Sequence, residues 1–215
     1  MTKSSRKSFD SQFRNSFSDL IAWRRDVRRF TSQAVDDSLV VDCLKLANMA
    51  PSVGLSQPWR FIQLCDPVRR QMIIDSFEKC NADALADYHG DTKTAYARLK
   101  LEGLREAPVQ LAVFADITTP KGKGVGRKTM PEMIAYSVVT AIHTFWLATR
   151  AHGLGVGWVS ILEPDAVAKA CQTPDNWQLI AYLCVGWPQA EMLTPELETA
   201  GWEKRADISS LFKKL

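Results

Sequence analysis

The 215 residues are 46% hydrophobic and 24% charged, the balance of an ordinary globular chain with enough length for a substantial core. A formal net charge of +3 is too small to point to nucleic acid or an anionic membrane surface, and no apolar run approaches the ~20 residues of a membrane span. Five cysteines without a C-x-x-C pair, three scattered histidines and a polar start without a signal-peptide core read as a reduced, cytoplasmic protein with no catalytic metal.

Residues 1–15, rich in Ser, Lys and Arg at their beginning, are expected to be a disordered tail, and 16–215 a single domain. The spacing of Phe17, Leu20, Ile21 and Trp23 predicts a helix from about Ser16 to Arg25. It runs into Arg24-Arg25-Asp26-Val27-Arg28-Arg29, four arginines around one aspartate. Arginine forks pair bidentately with phosphate or carboxylate, so this surplus charge suits an anionic ligand; a solvated basic helix end is the alternative. Asp26 is expected to stay ionised among the cations.

Asp36-Asp37-Ser38 starts a second helix carrying Leu39, Val40, Cys43, Leu44 and Ala47. From Asn48 to Phe61 two prolines and a glycine forbid helix, and a long loop of small and polar residues leads into a strand, Arg60 to Cys65. Residues 67–106 read as helical, with a polar stretch from Asn81 to Thr94 that is either a mobile cover over a site or a surface connection. Val109 to Ala115 is a buried strand. Residues 120–128 form a basic G-x-G-x-G loop, which is not the dinucleotide fingerprint.

Glu132 to Arg150 is apolar nearly all round, the pattern of a central or interface helix, with His143 a core or interface residue. In Gly153-Leu154-Gly155-Val156-Gly157-Trp158 the first glycine can end that helix, while Gly155 and Gly157 allow close approach to something flat; the strand that follows carries Ser160. A short helix, Asp165 to Cys171, and a last core strand, Leu179 to Gly186, precede a charged, proline-containing tail from Thr194 that suits wrapping a partner subunit. Helices and short strands alternate without regular βαβ spacing, which favours α+β.

With these stretches in hand, the chain resembles the nitroreductase-like flavoprotein superfamily. The resemblance rests on Arg24-Arg25-x-x-Arg28, on Ala50-Pro51-Ser52-x-Gly54-x-x-Gln57-Pro58-Trp59, and on the helix leading into Gly153 to Trp158, and it spans most of residues 20–205. Within the superfamily the chain is most similar to the BluB, or 5,6-dimethylbenzimidazole synthase, branch. The residues are Asp26 (usually a serine in ordinary nitroreductases), Leu99 to Gly103, Pro131-Glu132-Met133 with Tyr136-Ser137, and Gly157 to Ile161.

The resemblance implies a mixed sheet surrounded by helices, in an intertwined homodimer with a C-terminal extension and FMN sites at the subunit interface. It implies that reduced FMN, supplied by an external NAD(P)H-dependent flavin reductase, is consumed as substrate together with O2, giving 5,6-dimethylbenzimidazole and erythrose 4-phosphate for the lower ligand of vitamin B12. By resemblance the catalytic residues are Asp26, as acid/base, and Ser160, near the reactive edge of the ring. Arg24, Arg25, Val27, Arg28, Asn48, Ser52, Gly54, Leu101 and Arg205 match binding positions, with the arginines toward the phosphate and the flavin's polar edge. Two rivals stand beside this reading: an NAD(P)H-dependent nitro- or quinone reductase, and a flavin storage or sensor module. Asp26 argues against both, and a cover over residues 79–103 would also block a hydride donor.

Overall fold

The computed structural model describes residues 8–215. Helix α1 (Ser11–Trp23) starts five residues before the expected position, because the Asp10 carboxylate caps it by accepting from the Phe13 N–H at 2.8 Å. Residues 11–15 of the expected tail are therefore helical, and residues 1–7 lie outside the described part. Asp36 caps α2 (Asp37–Ala47) in the same way, through the Ser38 N–H.

Strand β1 (Trp59–Gln63) follows the loop, then α3 (Pro67–Asp87), which opens on Pro67 behind the Asp66 cap. Helix α4 (Gly90–Tyr96), β2 (Val109–Asp116), α5 (Met133–Ala151), β3 (Gly155–Val159), α6 (Pro164–Cys171) and β4 (Trp177–Gly186) complete the body. Two short helices, α7 (Glu196–Thr199) and α8 (Ile208–Leu211), lie on the C-terminal arm.

The strands form one sheet in the order β1-β2-β4-β3, with antiparallel ladders. A parallel bridge between Asp26 and Val156 makes the sheet mixed. All eight residues of β2 are buried, so its two faces feed two cores by simple alternation. Leu111, Val113 and Ala115, with Leu183 and Val185 of β4, pack under α2 and α5. Ala112 and Phe114, with Tyr182 and Cys184, pack under α3 and α6. The result is a sheet covered by helices on both faces, the α+β architecture expected.

The helix expected over 67–106 is corrected. It breaks at Tyr88–His89, ends at Tyr96, and leaves 97–106 as irregular chain. Three features pull this stretch out of a helix. The Glu102 carboxylate accepts from the Leu104 N–H, the Lys100 ammonium is shared between Glu102 and Glu106, and Gly103 lies against the Phe30 ring where any side chain would collide. Helix α5 presents Ile134, Val138, Ile142 and Phe145 to the core, and a stripe of Tyr136, Val139 and His143 outward.

Tyr136 and Val139 are 52% and 40% exposed, and Phe13, Phe17 and Ile21 of α1 stand 45–48% exposed at four-residue spacing. Apolar stripes of this length are characteristic of contact surfaces. The protein is therefore expected to sediment as a dimer at micromolar concentration rather than as a 24.1 kDa monomer, and Val139→Asp to shift it toward monomer. A wild-type monomer in analytical ultracentrifugation would refute this.

Candidate active site

Helix α1 ends at Trp23 because the chain turns extended at Arg24 (φ −68°, ψ 115°) and runs alongside β3. The Val27 N–H donates to the Val156 carbonyl at 3.0 Å. The two backbones lie so close that a side chain on Gly157 would strike the Val27 carbonyl, and one on Gly155 the Val27 side chain. These glycines were expected to admit a flat ligand. Gly157 admits the Val27 backbone instead, and Gly155 the Val27 side chain.

This placement fixes Asp26. Its Oδ1 accepts from the Trp158 N–H at 2.9 Å and its Oδ2 from Arg28 Nε at 2.9 Å, and Arg28 Nη2 completes an ion pair with Oδ2 at 2.9 Å. The third guanidinium nitrogen of Arg28 donates to the Lys100 carbonyl at 3.0 Å, so Arg28 ties Asp26 to the irregular stretch that carries Leu101. Burial pushes the Asp26 carboxyl up, while the Arg28 cation, the Trp158 N–H and the more distant Arg24 pull it down. The net direction is upward from the ordinary aspartate value, because burial outweighs the neighbouring cations. One edge of the carboxylate stays open, with 31% of the side chain exposed.

The arginines divide into two kinds. Arg28 and Arg29 are compensated, by Asp26 and by Glu196. Arg24 lies over the Trp146 ring, 5.1 Å from its centroid, and Trp146 Nε1 donates to the Arg25 carbonyl at 3.2 Å. Arg25 bonds the Ala22 carbonyl, but its Nε is buried with no partner. Burial lowers the Arg25 pKa; Arg205 and Arg24 lower it further, and Glu198 offsets only part. An orphaned donor among three crowded cations suits a dianionic phosphate. A cavity of about 270 Å³ opens beside it, lined by Arg25, Asp26, Arg29, Trp146, Arg150 and Glu196 among others. That volume is below the ~300–1,000 Å³ usual for a small-molecule site.

Ser160 lies just past β3, exposed, two residues beyond the N–H that holds Asp26. Asn48, Ser52 and Gly54 are elsewhere. Asn48 Oδ1 accepts from Trp59 Nε1 (3.0 Å) and Gln57 Nε2 (3.4 Å), and Ser52 Oγ from the Gln57 N–H (3.1 Å). Gly54, at φ +57°, packs on Gly122 and Val125. Their loop hangs on α5 through the Val53 N–H to Ser137 Oγ (3.0 Å) and Thr140 Oγ1 to the Pro51 carbonyl (2.7 Å). Trp146, which holds the arginines, is nine residues beyond Ser137, about 13 Å along the helix.

Sequence reasoning missed Trp146, Ser137 and the backbone groups of Trp158 and Lys100. Trp146 was visible only as a member of an apolar helix, Ser137 only as a residue marking the branch resemblance, and backbone groups leave no sequence signal. Among the described residues no group of three or more His, Cys, Asp or Glu is placed to hold a metal ion, and no helix is long and apolar enough to cross a membrane.

The chain belongs to the nitroreductase family: the Nitroreductase family profile matches residues 21–187. It is 55% identical over 197 residues to a 5,6-dimethylbenzimidazole synthase of Rhodospirillum rubrum, covering 92% of this chain and 93% of that one. It is 40% identical over 196 residues to the enzyme of the same name from Rhodobacter capsulatus, covering 91% and 95%. Among solved structures, an oxidized iodotyrosine deiodinase bound to FMN and 3-iodo-L-tyrosine superposes with a TM-score of 0.69 at 28% identity, over 81% of this chain and 91% of that one.

The close pass between Val27 and β3 has a measurable consequence. Gly157→Ala is expected to destabilise the fold by about 1–3 kcal/mol or more, as overpacking does, and to displace Asp26. Urea unfolding with an unchanged midpoint would mean that the two segments are free to separate.

Proposed function

We propose that this protein is a 5,6-dimethylbenzimidazole synthase that fragments reduced FMN with O2, releasing 5,6-dimethylbenzimidazole and erythrose 4-phosphate. The observation that carries the reading is the juxtaposition of Asp26, held against β3, with the unbalanced Arg24, Arg25 and Arg205. The 55% and 40% identities to enzymes of that name support the synthase over an NAD(P)H-dependent nitro- or quinone reductase.

In this reading Arg24, Arg25 and Arg205 receive the FMN phosphate, and the orphaned Arg25 Nε gains its acceptor. Bound reduced FMN supplies the electrons for O2. Asp26 is the proton acceptor for cleavage of the ribityl chain: its Oδ1 accepts one bond, from the Trp158 N–H, and keeps a free lone pair, and 31% of the side chain is exposed. Arg28 has three nitrogens committed to Asp26 and Lys100. Its role here is to orient and polarise Asp26 rather than to hold phosphate. Ser160 supplies a hydroxyl near the same edge, and Val27 and Leu101 flank it.

In this reading Asn48, Ser52 and Gly54 complete the site from a partner subunit; their loop is anchored on α5 nine residues before Trp146, about 13 Å away along the helix. An external NAD(P)H-flavin reductase supplies the reduced substrate, and the protein works in the cytoplasm.

Asp26→Asn keeps size and polarity but removes basicity. It is expected to bind reduced FMN and let it reoxidise, while dimethylbenzimidazole formation drops by ~10²–10⁴-fold. Chromatography of reactions containing FMN, a flavin reductase and NADPH in air measures this. Product at the wild-type rate would make Asp26 a structural partner of Arg28.

The pH dependence follows from the same group. A base works deprotonated, so activity is lost as pH falls through the Asp26 pKa. Because burial raises that pKa, the acid limb is expected above the range of an ordinary aspartate. Arg28→Ala removes the largest opposing cation and is expected to move the limb further up. A limb that moves down, or stays, would break the proposed link between Arg28 and Asp26.

A further inference from the structure

We infer that Trp202 is the positioning residue for Arg205: it seats the C-terminal arm on the α3–α4 turn so that Arg205 stays against Arg25 and phosphate is recognised. The inference rests on the reading of Arg24, Arg25 and Arg205 as a phosphate site. Arg205 faces the Arg25 cation, which repels it, so a contact other than that one has to hold it there.

The arm is fixed at two points before it reaches Arg205. At the front of α7, Glu196 pairs with Arg29. At its end Gly201, at φ +72°, closes the helix: its N–H donates to the Glu198 carbonyl at 3.0 Å, and the Trp202 N–H to the Leu197 carbonyl at 2.9 Å. This reversal aims Trp202 at an aromatic clasp. Its ring meets Tyr88 edge-on at 5.8 Å and 90°, and Tyr96 at 6.1 Å, while the two tyrosines lie 4.8 Å apart. The clasp is itself held: Tyr96 is 7% exposed and donates to Asn81 Oδ1 at 2.8 Å.

Arg205 follows Trp202 by three residues. Between them the chain makes a local bond, from the Lys204 N–H to the Glu203 carboxylate at 2.8 Å, which reaches nothing in the body. The aromatic clasp is thus the tether nearest to Arg205. It also joins the arm to the α3–α4 turn, just before the stretch whose Lys100 carbonyl holds Arg28.

The test compares oxidised FMN with riboflavin, which differ by the phosphate, in fluorescence titrations of the full-length protein and of Trp202→Ala, Trp202→Phe and Arg205→Ala. Wild type is expected to prefer FMN. Trp202→Ala and Arg205→Ala are each expected to weaken FMN by roughly tenfold or more, the scale of one lost charge-assisted contact, with riboflavin affinity unchanged. Trp202→Phe is expected to restore FMN binding, and the double Trp202→Ala/Arg205→Ala variant to lose no more than either single one.

Equal weakening of FMN and riboflavin in Trp202→Ala would reduce Trp202 to general packing and overturn the inference. So would additive losses in the double variant, or unchanged FMN affinity in Trp202→Ala. If wild type bound both ligands equally, the phosphate reading of the arginines would fail first, and that result is distinct from a failure of Trp202 alone.

Discussion

The site depends on a steric constraint: the backbone at Asp26–Val27 runs against β3 with no room for a side chain at Gly155 or Gly157. Because the fit admits only hydrogen on those two Cα atoms, the Val27–Val156 bond can form and the Trp158 N–H can reach the Asp26 carboxylate. The same pass sends Arg24 and Arg25 toward Trp146 on one side and Arg28 toward Lys100 on the other. A backbone contact thereby distributes the arginines among different duties.

Those duties differ electrically. Asp26 feels burial and Arg28 as opposing influences, and burial is the larger. A carboxylate so poised holds its proton more readily than an exposed one, yet it keeps two strong donors that favour the ion. Such tension is characteristic of groups that move protons. At Arg25 the imbalance is of the opposite kind. Its neighbours are mostly cations, its Nε has no acceptor, and only an incoming anion relieves both.

Much of this was legible in the sequence. The A-P-S-x-G-x-x-Q-P-W loop and the apolar helix announced a family and a central helix, because each depends on residue type at short spacing, and the arginine run pointed the proposal toward an anionic ligand. What was illegible depends on distant contacts. The glycines before Trp158 looked like a ligand platform, since sequence alone does not show which backbone passes over them. Residues 97–106 looked helical by their leucines, and only Phe30, Arg28 and the Glu102 carboxylate, from outside that periodicity, decide otherwise. The cations beside Asp26 are visible in the sequence, whereas the burial that raises its pKa is not.

Helix α5 keeps the proposed site residues of one chain in two separate groups. Ser137 and Thr140 hold the loop with Ser52 and Gly54, and Trp146 holds the arginines. Both groups hang on the same helix, so no hinge within the chain brings them together. The outward stripe of Tyr136, Val139 and His143 lies on that helix, with His143 midway between Thr140 and Trp146. In the proposed dimer, a two-fold axis crossing α5 near residue 142 would exchange the neighbourhood of position 138 with that of 146, and so set one chain's Ser52–Gly54 loop opposite the other's Arg24 and Arg25. The helix that separates the two groups within a chain would then align them between chains, with the exposed stripe as the seam.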